Sequence, residues 1–269
     1  MKRTTEKRRS ARLRLSESLG YCHSSASPTL AANCAHRKLR VDTLNNHVQC
    51  TTVSGASLQV EHQPTVGEEI ANSLSHGLGL ALAIVATPIL IGAATRYGTP
   101  WNTVGVSVFA ASMISLYLAS TLYHALTHGG AKRVFRMLDH GAIFILIAGT
   151  YTPFTLGVMR GRIGWTMFGL VWGLAAVGVT MKAVFGARYL WVSVALYLTM
   201  GWLVVIAAPQ VIQRVPLSGL AWLLAGGIAY TAGVGFFAAH RIRYAHFAWH
   251  LFVIAGTVCH FFAVLWYSS

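Results

Sequence analysis

From Glu68 to the C-terminus the chain alternates long apolar runs with short polar breaks. Seven runs reach spanning length, at roughly 72–95, 103–125, 138–158, 163–182, 189–209, 217–239 and 246–267. About 20 residues of helix cross about 30 Å of hydrocarbon. The runs are continuously apolar rather than alternating, which predicts helices and excludes a membrane β-barrel. The breaks are short, so consecutive helices should lie side by side. The fold class is therefore all-α integral membrane, a seven-transmembrane helix bundle. Pro153, near the end of the third run, predicts a kink or an end there. Gly169 and Gly173 in "GLVWG" have GxxxG spacing, and "LLAGGIAYTAGVGFF" is rich in small residues. Both stretches predict close helix packing.

Residues 1–66 break this pattern. "MKRTTEKRRSARLRLSESLG" is basic and Ser-rich, with no apolar run long enough for a signal-peptide core. The expected organisation is a disordered basic tail over 1–66 and a transmembrane domain over 67–269. A start codon assigned too far upstream would leave the same signature. The formal net charge of +14 invites a nucleic-acid reading, but its distribution argues otherwise. Ten of the 21 Lys and Arg lie in the first 40 residues, and the rest sit in the breaks. Placing the N-terminus in the cytoplasm puts Lys132, Arg133, Arg136, Lys182, Arg188, Arg241 and Arg243 inside. It leaves Arg96, Arg160, Arg162 and Arg214 outside. Basic loop residues favour the inner side, so the N-terminus is expected to be cytoplasmic. The expected partners are the bilayer and its lipids, with no nucleic acid. Cys22, Cys34, Cys50 and Cys259 match neither a zinc module nor a disulfide framework.

Charge then becomes informative inside the runs. Asp139 is the only acidic residue after Glu69. Ser120 and His124 are four apart near the inner end of the second run. Asp139 is expected in the first turn of the third helix. His246 and His250, also four apart, open the seventh, and His76 opens the first, one turn after Asn72. An Asp in a first turn is favoured by about 0.3–1 kcal/mol through the helix dipole. At mid-membrane an Asp costs about 2.5–3.5 kcal/mol. Each residue alone has a bland explanation, as an interfacial or capping group. Their convergence at one depth from three helices marks a functional site. Three imidazoles and a carboxylate suit zinc, with His124, His246 and His250 as ligands. Asp139 would bind the metal directly or hold its water, and Ser120 would donate to a developing oxyanion. That chemistry is metal-assisted hydrolysis, with a bilayer-derived substrate.

The other histidines fit less well. His140 should point about 100° away from Asp139, His128 lies in a Gly-rich break, and His240 ends the sixth run. His260 is about 15 Å beyond His250 along the same helix and should hydrogen-bond inside the bundle. His76 is expected to support the site through bonds with Asn72 or Ser75.

The pieces "EIANSLSH", "STLYH", "LDHGAIFILIAGTYTPF" and "HFAWHLFVIAGTVCHF" resemble the bacterial hemolysin III proteins. These belong to the progestin and adipoQ receptor family, in a wider superfamily that includes alkaline ceramidases. The resemblance covers about residues 67–269. It implies seven helices and a bacterial inner-membrane location. It also implies a zinc held by His124, His246 and His250, with Asp139 near its water. Within that resemblance some relatives hydrolyse ceramide-like amides, others are named receptors, and the bacterial branch carries a haemolysin label. Three functions follow as expectations. One is a zinc-dependent lipid amide or ester hydrolase. Another is a non-enzymatic receptor or membrane-homeostasis protein with structural zinc. The third is a pore former, for which the runs offer no ring of charged groups and few polar residues at mid-helix.

Overall fold

The computed structural model describes residues 64–268 apart from His128, Ala187 and His240. The expected tail, Cys22, Cys34, Cys50, His128 and His240 thus lie outside the described residues, save for the last three positions of the tail. Along the chain run α1 (Val66–Tyr97), α2 (Pro100–Ala125) and α3 (Gly130–Pro153), the last extended by a π-helical turn over Phe154–Val158. There follow α4 (Arg162–Phe185), α5 (Leu190–Trp202), a 3-10 stretch over Leu203–Ala207, α6 (Ala208–Arg214), α7 (Leu217–Ala238) and α8 (Ala245–Tyr267). With α5 and α6 forming one span, seven segments among the described residues are long and apolar enough to cross a membrane.

Local chemistry explains where these helices depart from the apolar runs. α1 begins six residues early because Thr65 caps it. Its hydroxyl accepts from the Glu68 N–H at 3.3 Å, and Glu68 accepts from the Thr65 N–H at 2.8 Å. This reciprocal pair satisfies amides that the helix start leaves open. α3 begins at Gly130, behind Gly129 at φ 108, a conformation that glycine adopts without strain. The consequence is a correction: Asp139 sits in the third turn of α3, not the first. The helix dipole acts within the first turn and does not account for it. Pro153, which has no N–H to donate, ends the regular α3, and the backbone widens into the π turn from Phe154.

α2 packs along both α1 and α3, while α8 packs along α7 and α1. The approach of α3 to α4 needs Gly178, where an added Cβ would fall 2.4 Å from the buried Phe144 ring. Gly226 and Gly233 likewise receive the rings of His260 and Trp249. Gly169 and Gly173 do not pack as expected. Both are exposed, with nothing within 4 Å of an added Cβ. The stripe of α4 turned inward carries Val171, Ala175 and Gly178 instead.

Among the described residues many large apolar side chains face outward, and most of the polar ones on the helices turn inward beside the apolar core. Leu74, Leu78, Val85 and Ile89 of α1 and Leu224 and Ile228 of α7 are exposed, whereas Asn72, His76, Ser120, His124, Asp139 and His250 are buried. Water would penalise that arrangement. Hydrocarbon requires it, because helices satisfy their own backbone and polar side chains must turn into the bundle.

Candidate metal centre

The i,i+4 spacings predicted that each pair shares a face, and the bundle turns those faces toward one another. α2 brings Ser120 and His124, α8 brings His246 and His250, and α3 brings Asp139. One ligand nitrogen from each of His124, His246 and His250 lies within 4.8 Å of the others. Their ring centroids are 5.1 Å apart for His124 and His246, 5.0 Å for His124 and His250, and 4.6 Å for the two on α8.

α1 supplies the supports. His250 Nδ1 is 3.2 Å from the Asn72 carbonyl and 3.0 Å from Ser75 Oγ. A carbonyl only accepts, so this network assigns the proton to Nδ1 and leaves Nε2 as a lone pair. His124 Nδ1 meets Glu69 Oε2 at 2.6 Å, and Lys132 Nζ donates to Glu69 Oε1 at 2.8 Å. On the far side of the rings, His124 Nε2 and His246 Nε2 are buried without a hydrogen-bond partner. Leaving a buried polar atom unsatisfied costs about 1–3 kcal/mol. Buried, unpartnered imidazole nitrogens converging from two helices are what a metal ion would satisfy. The cluster can therefore hold one.

Asp139 is buried and lies outside the tight three-histidine group. It is a neighbour of Ser120 and within electrostatic reach of His124. Ser120 Oγ is fully buried and makes no hydrogen bond of ordinary geometry. His76 makes no hydrogen bond to Asn72 or Ser75: Ser75 Oγ meets His250, and Asn72 Oδ1 is buried without a partner. Its ring instead stacks on His250 at 3.6 Å with a 9° interplanar angle, and neither ring nitrogen has a partner. Asn72 acts through its backbone carbonyl.

A cavity of about 110 Å³ opens beside the centre, lined by His76, Asp139, Tyr197, His246 and His250 at one end and His260 at the other. A second, of about 320 Å³, shares Thr150, Tyr151, Trp202 and His260 with it and continues along the bundle. His140 also lines the first cavity. His260 behaves as expected and bonds the Leu223 carbonyl at 3.2 Å. Glu69 and Lys132 were missed as site residues. The available signal was the spacing of Glu69, Asn72 and His76, which at three and four residues places all three on one face of α1.

A seven-helix membrane bundle with a buried three-histidine centre is the class that fold and site define. The family described as "Haemolysin-III related" matches residues 65–261, and the chain belongs to it. A "Hemolysin-3 homolog" of Bacillus subtilis is 43% identical over 203 residues, covering 76% of this chain and 95% of the relative. "Hemolysin-3" of Bacillus cereus is 44% identical over 202 residues, covering 75% and 92%. The human "Monocyte to macrophage differentiation factor" is 26% identical over 216 residues, covering 76% and 85%. No solved structure gives a significant match. The helices and these bacterial relatives identify a multi-pass protein of the cell membrane.

Proposed function

We propose that this protein is a zinc-dependent hydrolase that cleaves an amide or ester bond of a bilayer lipid. The observation that carries this reading is the pair of adjoining apolar cavities, which lead from His246, His250 and Asp139 along the bundle to His260 and Trp202. A hydrocarbon chain lying there would bring its acyl carbonyl to the three histidines. His124, His246 and His250 would hold the zinc, a set that leaves a fourth position open. When bound, zinc polarises a carbonyl and lowers the pKa of a coordinated water toward 7. Asp139, the one carboxylate on this cavity, is placed to accept a proton and return it to the leaving group. Ser120, fully buried beside Asp139, would donate its hydroxyl hydrogen to the carbonyl oxygen once a substrate reaches it.

The centre would lie near the cytoplasmic face. This orientation rests on the seven basic loop residues against four. It predicts that a cysteine at position 130, in a chain cleared of its own four, is labelled only from the cytoplasmic side. The activity test is mass-spectrometric detection of released fatty acid from a panel of ceramides and glycerolipids in detergent micelles. Zinc is measured on the same samples, with His250→Ala as the control. Zinc-loaded protein that releases no fatty acid would favour the receptor-like reading with structural zinc. The name haemolysin belongs to the relatives. A pore would have to pass a core filled by Phe109, Met113 and Phe144.

A further inference from the structure

We infer that Glu69 is a positioning residue that fixes His124 for metal binding, and that Lys132 fixes Glu69 in turn. The inference rests on the metal-centre reading. It concerns a helix, α1, that contributes none of the three histidines.

A carboxylate has two oxygens, and here each has its own donor. Oε2 takes His124 Nδ1 at 2.6 Å and Oε1 takes Lys132 Nζ at 2.8 Å. An ionised carboxylate only accepts, so the shared proton belongs to Nδ1. That choice of tautomer leaves the Nε2 lone pair, buried and unpartnered, toward the other two rings. Lys132 does more than neutralise charge. Its ammonium also donates to the Leu126 carbonyl at 2.7 Å, at the end of α2. One lysine at the start of α3 thus ties the end of α2 to the start of α1. The preceding residue acts on the other ligand-bearing helix. Glu68 Oε1 accepts the N–H of Tyr244 at 2.9 Å. Tyr244 caps α8 with φ 60, a conformation costly for a bulky residue unless its surroundings hold it. Successive residues of α1 point about 100° apart, so Glu69 reaches α2 while Glu68 reaches α8. The two acidic side chains fix the helix ends from which all three histidines project.

The bland alternative is a partly buried ion pair of no consequence. The side chains of Lys132 and Glu69 are 20% and 19% exposed, and such pairs are worth about 0–1 kcal/mol. Metal affinity separates the two accounts. A partner that orients a ligating histidine changes affinity roughly 10–100-fold when lost.

The probe is cobalt(II), titrated into the full-length apo protein in detergent, followed by its visible absorption and by competition with a chelator. Glu69→Gln keeps the shape but offers one acceptor oxygen to two donors. Cobalt affinity should fall 10–100-fold with an altered spectrum, while the apo protein melts as wild type does. Adding Lys132→Met removes the competing donor and lets the amide oxygen turn to His124. The double variant should therefore bind cobalt more tightly than Glu69→Gln alone. Glu69→Gln binding cobalt as wild type does, or a loss that Lys132→Met fails to relieve, overturns the inference. His250→Ala isolates the underlying reading: if wild type binds cobalt no better than that variant, the metal centre itself is wrong.

Discussion

Two buried polar clusters share α2 and α8, roughly 10 Å apart along α8. Around Thr257, every group closes on another. Tyr117 OH and Tyr230 OH each lie 2.8 Å from Thr257 Oγ1, which in turn donates to the Val253 carbonyl at 2.9 Å. Around His250 the accounts stay open. His124 Nε2, His246 Nε2, both nitrogens of His76 and Ser120 Oγ are buried without partners. A closed network stabilises a bundle and asks for nothing more. An open one costs stability, and a bound metal ion could offset that cost. The difference separates a cluster that is satisfied by its own side chains from one that could hold a metal ion.

The comparison can be broken at either cluster. The largest effect should come from His250→Ala, which leaves two imidazoles. Zinc affinity should fall by more than the roughly 10–100-fold typical of losing a supporting group, as read by metal content per chain. Asp139→Asn should follow. Lipid hydrolysis should drop roughly 10²–10⁴-fold, the usual contribution of general acid–base catalysis, with zinc content kept. Loss of zinc together with activity would make Asp139 a ligand. Ser120→Ala removes one donor and should lower kcat about 10²–10³-fold, again with zinc retained. Thr257→Val is the opposite experiment and the smallest in activity. It strands two tyrosine hydroxyls, so unfolding should become easier by about 1–3 kcal/mol per stranded group, while zinc content stays that of wild type. Zinc loss in this variant would show that the two clusters are one.

The candidate residues were legible because intramembrane polarity is rare. Ser120, His124, Asp139, His246 and His250 stand out against apolar surroundings, and two i,i+4 spacings place four of them on two helix faces. Glu69 and Lys132 were not legible in the same way. Both lie where runs begin or end, and charge is ordinary there. Only the approach of α1 to α2 and α3 turns them from boundary markers into a chain of contacts ending at His124. The small-residue motif misled for a related reason. Gly169 and Gly173 have the spacing for close approach, but spacing does not say which face a neighbour occupies.

The sequence by itself determined seven spans, because a 30 Å hydrocarbon layer demands about 20 apolar residues per crossing and allows few other folds. It also determined which side chains could ligate a metal, since ligand chemistry belongs to residue type. Tertiary structure decided the rest. Asp139 moved from the first turn to the third because Gly129 starts α3 early. His76 became a stacking partner of His250, and the Asn72 carbonyl bonds His250 rather than His76. The cavity beside Asp139 exists only between helices. These outcomes depend on helix rotation and on contacts between residues as distant in sequence as Asn72 and His250, which no local pattern encodes.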